Sequence, residues 1–374
     1  MSDIISISIL KFFTELNDPR QTAKVLYPLP EIILVALCAA ICGADSFVEM
    51  EEFGNAKLDF LRKILPFKNG IPSHDTFGAV FANIDSKQFN NIFIKWVLSL
   101  QKEIPKLVAI DGKTVRRSMN GDIPPIHIVS AWSSDQRLVL GQLKTRKKSN
   151  ELTAIPELLS MLSLKGATVS IDAMGCQKSI AEKIIEKKAD YLLAVKNNQP
   201  KLYKDIDILF SSIDSKTFPV EIPEYQTIDK SHGRLETRTY SIFKDIQLMT
   251  TGDLWPKLQS IGRVQRICEN GKRKSEETRY YISSKNFEVQ DFADAVRGHW
   301  GIENSLHWVM DVVFRDDECR AREKNASANF VTLKHITLNM LKSLPVKKSM
   351  RVRRKRAGWD ETFLYEALLA TPAS

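Results

Sequence analysis

The stretch from Lys106 to Lys196 constrains this chain most, because the period of its apolar residues changes there. The segments LVAID, IHIVSAW and RLVLGQL are rich in β-branched residues and alternate apolar with polar positions, the composition of strands. A helical segment (ELTAIPELLSML), a strand (ATVSID), a second helix (IAEKIIEKKA) and another strand (YLLAVK) follow. That alternation implies parallel strands joined by helical crossovers, since a tight hairpin cannot connect a parallel pair. A mixed α/β domain is therefore expected over residues 103–345.

The flanks read differently. Residues 1–102 hold ILKFFTEL, EIILVALCAAICG and SFVEMEEFGNAKLDFLRKIL at helical spacing, with Ser73 and Ser86 placed as N-caps of two more helices. An all-helical N-terminal domain is expected. From about 217 to 284 short strand-like runs and charged turns predict a β-rich insertion. Helical spacing returns in VQDFADAVRGHWGIENSLHWVMDVVF and FVTLKHITLNMLKSL, and the run Lys347, Lys348, Arg351, Arg353, Arg354, Lys355 and Arg356 marks residues 346–374 as a basic C-terminal tail.

Composition excludes several classes. The apolar run Ile32–Ala44 falls short of the roughly 20 residues that span a bilayer, so it reads as a core helix. No secretory leader precedes it, so a cytoplasmic protein without a membrane partner is expected. The five cysteines are scattered without a CxxC pair, against a disulfide framework or zinc ribbon; Cys38 and Cys42, one helical turn apart, are expected to pack. A net charge of +9, from 54 Lys and Arg against 45 Asp and Glu, suits a polyanionic partner without demanding one.

Asp111 closes LVAID and Asp172 closes ATVSID, which would put two carboxylates at the C-terminal edge of one sheet, where open α/β sheets bind ligands. An Asp at a strand end can equally be a turn residue, so the pair makes a site only if a third acid joins it. Glu303 is the candidate: it interrupts the apolar and aromatic stretch HWGIENSLHW, although an exposed Glu on an amphipathic helix gives the same pattern. Two Asp and one Glu supply hard oxygen ligands suited to Mg²⁺ or Mn²⁺ rather than zinc.

The segments VAIDGKTVRRS, SIDAMGCQKSIA, ADYLLAVKNNQP, HGRLETR and HWGIENSLHWVMDVVFRDDECR resemble the bacterial insertion-sequence transposases of the ISAs type, also called H-repeat-associated proteins. The likeness extends to YPLPEI and NGIPSHDTF in the first hundred residues and to AGWDETFL near Trp359, so it spans nearly the whole chain. It implies an RNase H-like catalytic core of the DDE kind, with Asp111, Asp172 and Glu303 as catalytic metal ligands and the β-rich insertion between the second and third acid. It also implies double-stranded DNA as partner, both terminal inverted repeats and target, a homodimer on DNA, and a nucleoid-associated location. The tyrosine, arginine and lysine that surround the glutamate in the broader clan are replaced here by Val296, His299 and Met310, so their DNA contacts do not carry over; Arg297 is a substitute or a solvated residue.

Two basic clusters, one with Lys113, Arg116 and Arg117 and one with Lys144, Arg146, Lys147 and Lys148, are candidate phosphate contacts, as are Arg351, Arg353, Arg354 and Arg356 of the tail. Charge runs are as often solvated surface. His299 and His307 are expected to be packed or hydrogen-bonded, and Trp300 and Trp308 to be core aromatics. Trp255 either packs or stacks on an unpaired base. The function expected is cutting and rejoining of phosphodiester bonds at insertion-sequence ends; the alternative is an inactive copy that binds DNA without cutting. A carboxylate glycosidase fits the basic clusters poorly.

Overall fold

The computed structural model describes residues 7–101, 103–119, 121, 124–145, 151–231, 233–271 and 273–369. Helices α1 (Ser8–Phe13), α2 (Leu29–Cys42), α3 (Phe47–Ala56), α4 (Leu58–Arg62), α5 (His74–Asn83) and α6 (Ser86–Leu100) open the chain. Ser46 and Glu49 form a reciprocal capping box on α3, and Ser73 caps α5 as its sequence predicts. The cap of α6 is Asp85 rather than Ser86, its carboxylate accepting from Gln88 N–H at 2.7 Å. Helix α2 is buried along nearly its whole length and ends at Gly43, whose φ of 115° suits only glycine. Among the described residues no single helix is long and apolar enough to cross a membrane.

Strands β1 (Leu107–Thr114), β2 (His127–Ser133) and β3 (Leu138–Thr145) form an antiparallel meander. Helix α7 (Glu151–Met161) carries the chain to β4 (Thr168–Ile171), which is parallel to β1; α8 (Lys178–Glu186) carries it on to β5 (Asp190–Val195), parallel to β4. After α9 (Pro200–Asp214) come β6 (Glu224–Ser231), β7 (Arg234–Phe243), β8 (Ser260–Asn270) and β9 (Arg273–Ser283), all antiparallel to their neighbours. The β-rich insertion is thus present, yet it is no separate layer. Because β9 pairs with β5, the described strands make one sheet in the order β3-β2-β1-β4-β5-β9-β8-β7-β6.

The last helices are α10 (Val289–His299), a π-helical turn (Glu303–His307), α11 (Trp308–Val312), α12 (Ala326–Ser343), α13 (Met350–Trp359) and α14 (Glu361–Leu369). Helix α12 is buried on nearly every side, because it fills the space between β3 and the N-terminal helices. Asn329 donates to the carbonyls of Phe81 and Ile84, and Asn339 pairs with both backbone groups of Val139 on the edge strand β3. Residue 102 is therefore no packing boundary: one apolar core runs through the N-terminal helices, the sheet and α12–α14. The expected tail is likewise corrected, since through Leu369 it folds as α13 and α14 against α2.

Candidate active site

In the parallel ladder Ile110 lies beside Ile171, so Asp111 and Asp172 follow on adjacent strands, about 4.8 Å apart in the hydrogen-bonding direction. Asp111 does not end its strand, because β1 continues to Thr114 in its pairing with β2; the edge arises where β4 stops. Asp172 caps the turn Ala173–Gly175, accepting from Met174 N–H at 3.1 Å. The motif KNNQP braces that turn: Asn198 donates to the Ala173 carbonyl and Gln199 to that of Cys176.

Glu303 stands at the first position of the π-helical turn and is exposed there, as the amphipathic alternative had it, while it lines the same cavity as the two Asp. Such a turn disturbs the helical ladder, and its loosened carbonyls need other donors. Lys342 of α12 supplies one, 3.1 Å from the Ser305 carbonyl, with its ammonium 3.9 Å from the centre of the Trp132 ring. Burial pulls Lys342 down to about 7. Helix α12 thus holds the turn that carries Glu303.

Asp111, Asp172 and Glu303 line one cavity of about 700 Å³, shared with His299, Trp300 and Arg279. Burial, and then the charges of Asp172, Glu151 and Glu303, push the Asp111 carboxyl up to about 7 against the opposing Gly112 N–H. Among the described residues no lysine or arginine pairs directly with these three acids, which leaves them open to a cation. The acids do not close into a ready cage: among the described residues no three His, Cys, Asp or Glu are gathered tightly enough to hold an ion as they stand. His299, held near 4 by burial, shares a 3.0 Å hydrogen bond with Ser170; His307, also near 4 and for the same first reason, lies 3.5 Å from Asp111. Both stay neutral at physiological pH.

Sequence reasoning missed three participants. Glu151, at the start of α7 and 5% exposed, sits 2.5 Å from His127 Nε2 and raises Asp111 electrostatically. Its position as the first acid after β3 was its sole local signal. Lys196 and Arg279 put positive charge on the cavity wall, the Arg279 guanidinium lying 4.7 Å from the Trp300 ring centre. Nothing in their own segments marks them, since β5 and β9 meet only in the folded sheet.

Several expected roles are corrected. Lys113 is no phosphate contact: it lies 2.6 Å from Asp311 and 3.3 Å from Asp316, the latter also held by Lys334 at 3.2 Å in a core that leaves Asp316 and Lys334 almost without exposure. Arg354 is buried, bonding the Ala40 and Val313 carbonyls and Asp45; Arg353 bonds the carbonyls of Leu341, Leu344 and Val346. Both satisfy helix ends, which pack where the sequence read a tail. Arg351 is exposed, Arg356 is paired with Asp360 at 3.2 Å, and Lys144 reaches the Lys324 carbonyl. Arg116 and Arg117 are exposed, whereas Arg146, Lys147 and Lys148 lie outside the described residues.

Trp255 is 4% exposed and packs, whereas Trp300 and Trp308, expected in the core, are 36% and 57% exposed. They flank Glu303 on a helix whose buried face is taken by Ile302, Leu306 and Met310. Arg297 is neither free nor simply solvated, since it pairs with Asp229 of β6 at 2.9 Å.

The chain matches the model of a region described as DDE_Tnp_1-associated over residues 10–97 and that of a transposase DDE domain over residues 102–340. It belongs to the DDE transposases of bacterial insertion sequences. Within that family it is 40% identical to the putative transposase YncI of Escherichia coli O157:H7, over 96% of this chain and 94% of that one. It is 39% identical to the H repeat-associated putative transposase YhhI of Escherichia coli K12, over 98% and 99%. A piggyBac transposase synaptic complex with hairpin DNA aligns over 98% of this chain and 79% of its own at a TM-score of 0.41 and 12% identity, a likeness too low to carry the fold.

Proposed function

We propose that this chain is an active transposase with an RNase H-like core, which cuts and rejoins phosphodiester bonds at insertion-sequence ends with Asp111, Asp172 and Glu303 as ligands of Mg²⁺ or Mn²⁺. The observation that carries the reading is the common cavity of these acids, with Asp111 raised by its acidic neighbours. The order β3-β2-β1-β4-β5, with β2 alone reversed, supports the core that the resemblance implies.

Hard carboxylate oxygens fit a divalent ion, and its charge offsets the repulsion among them. When bound, such ions activate the attacking water or 3′-hydroxyl and stabilise the leaving oxygen. The chain's own residues do the rest. The β1–β4 ladder fixes the two Asp, the π-helical turn presents Glu303, and Lys196 with Arg279 attracts the phosphate to the opposite wall. Neutral His299 on the cavity wall and neutral His307 beside Asp111 add no charge against the ligands. The substrate in this reading is double-stranded DNA, terminal inverted repeat and target, held by a homodimer, with Arg116, Arg117 and Lys144 as backbone contacts.

The test is incubation of the purified chain with duplexes carrying the inverted repeats that flank its gene, with Mg²⁺, with Mn²⁺ and with chelator. Metal-dependent cutting at the repeat ends is expected. Binding without cutting under every metal condition would instead establish the inactive DNA-binding copy.

A further inference from the structure

Two exposed stretches of Arg and Lys, far apart in sequence, meet beside the site. The turn Arg116–Ser118 leaves the far end of β1, and the segment Arg315–Asn325 leads into α12. They are tied by a backbone bond and by single contacts of the cationic groups, Arg116 Nε lying 3.4 Å from Asp317 and Lys324 Nζ 2.6 Å from the Asn83 side-chain oxygen. Arg116 N–H donates to Asp317 at 3.2 Å, and Arg322 donates through Nε to the Arg117 carbonyl at 3.1 Å. Lys144 reaches the Lys324 carbonyl at 3.3 Å, which joins the edge strand β3 to the same ridge. Arg116, Arg117, Arg320, Arg322 and Lys324 are all exposed, the Arg116 side chain at 83%. Of the acids in this stretch, Asp317 is shared by the half-buried Lys113 and Arg116, Glu318 is held by Arg315, and Glu323 is exposed beside them.

We infer that this ridge is the phosphate-binding track that leads duplex DNA into the carboxylate cavity. The inference rests on the transposase reading and assigns its main DNA surface to residues 116–117 and 320–324 rather than to the C-terminal run. Geometry favours it. β1 carries Asp111 and ends at Thr114, two residues before Arg116, so Arg116 lies at most roughly 17 Å from Asp111 at about 3.3 Å per residue. Duplex DNA presents a phosphate about every 3.4 Å of axis on each strand, so the ridge meets the backbone within roughly five base pairs of the cut. The C-terminal run is shortened, because Arg353 and Arg354 are spent on helix carbonyls and Arg356 is paired with Asp360, which leaves Lys347, Lys348, Arg351 and Lys355 exposed.

The deciding experiment measures affinity of the full chain for end duplex and random duplex across a salt series. Every phosphate left without its cation should lower the slope of log affinity against log salt by about 0.9. Changing Arg116, Arg117, Arg320 and Arg322 together to Gln is expected to lower it by roughly three to four units on both duplexes. Arg117→Gln with Arg320→Gln, which leaves the Asp317 and Arg322 tethers in place, guards against misfolding and should lower it by about two. Changing Arg351, Lys355 and Arg356 to Gln should lower it by less than about one. A ridge variant with native unfolding temperature and an unaltered slope overturns the assignment, as does a larger drop in the C-terminal variant. An unmodified chain that binds duplex DNA with no salt dependence would remove the transposase reading itself.

Discussion

The sheet and the helix that build the candidate site hold their acids by different means. Asp111 and Asp172 are placed by backbone: a parallel ladder sets their register, and a one-residue slip would turn both to the other face. Glu303 is placed by side chains, on a π-helical turn whose Ser305 carbonyl is held by Lys342 against Trp132. The sheet half is therefore encoded within β1 and β4. The helix half depends on a lysine in α12, many residues later in the chain.

The largest expected effect ignores the difference. Asp111→Asn, Asp172→Asn and Glu303→Gln should each lower metal-dependent cutting of end DNA about a thousand-fold or more, roughly 4 kcal/mol of barrier, while gel-shift affinity stays nearly unchanged. A variant that still cuts well takes its residue out of the site.

Next comes the ion cluster that joins β1 to the segment after α11. Asp316→Ala would leave Lys113 and Lys334 buried beside one another, so urea unfolding should show a loss of about 3–5 kcal/mol. A loss below about 1 kcal/mol would mean that water already screens these charges.

The two glycines beside the acids separate the halves more finely. A Cβ on Gly112 would collide with His127 and Glu151, whereas one on Gly301 would meet nothing closer than 3.7 Å. Gly112→Ala should cost about 1–3 kcal/mol in urea unfolding. Gly301→Ala should be neutral or stabilising by up to about 1 kcal/mol, because alanine favours helix. Equal tolerance at the two positions would erase the contrast between a rigid sheet side and an adjustable helix side.

The last contrast concerns pH. Lys342 stands at about 7 in the folded protein against 10.5 for a free lysine, so between those values the unfolded chain binds the extra proton. Stability should therefore rise with pH across that window and be lost as pH falls toward 7. Lys342→Met should flatten the rise in thermal midpoint relative to the unmodified chain. Identical pH profiles would show that the ammonium is hydrated and not clamping the π-helical turn.

Much of this was legible in the residues themselves. Strand and helix periods located β1 to β5, the crossover helices and the β-rich stretch, because each reflects alternation within one segment. The candidate acids at 111 and 172 could be picked out for the same reason, since each directly follows an apolar run, although β1 continues past Asp111 to Thr114. The fate of the cations was not. Lys113 and Arg117 belong to one motif, yet Lys113 is half-buried among Asp311, Asp316 and Asp317 and Arg117 is exposed. Which occurs depends on whether carbonyls or acids from elsewhere arrive beside a charge, and no local pattern records that.

The alternating elements, the family and the candidacy of the three acids are properties of short segments, and they follow from the residues read in order. The folded chain was needed to learn that β9 joins β5, that α12 completes the N-terminal helices, and that Glu151, Lys196 and Arg279 stand around the cavity. It also shows which arginines are taken up by helix carbonyls, such as Arg353 and Arg354. The physical reason is that burial and charge pairing are set by what packs alongside a residue, and in this chain those neighbours come from its opposite end.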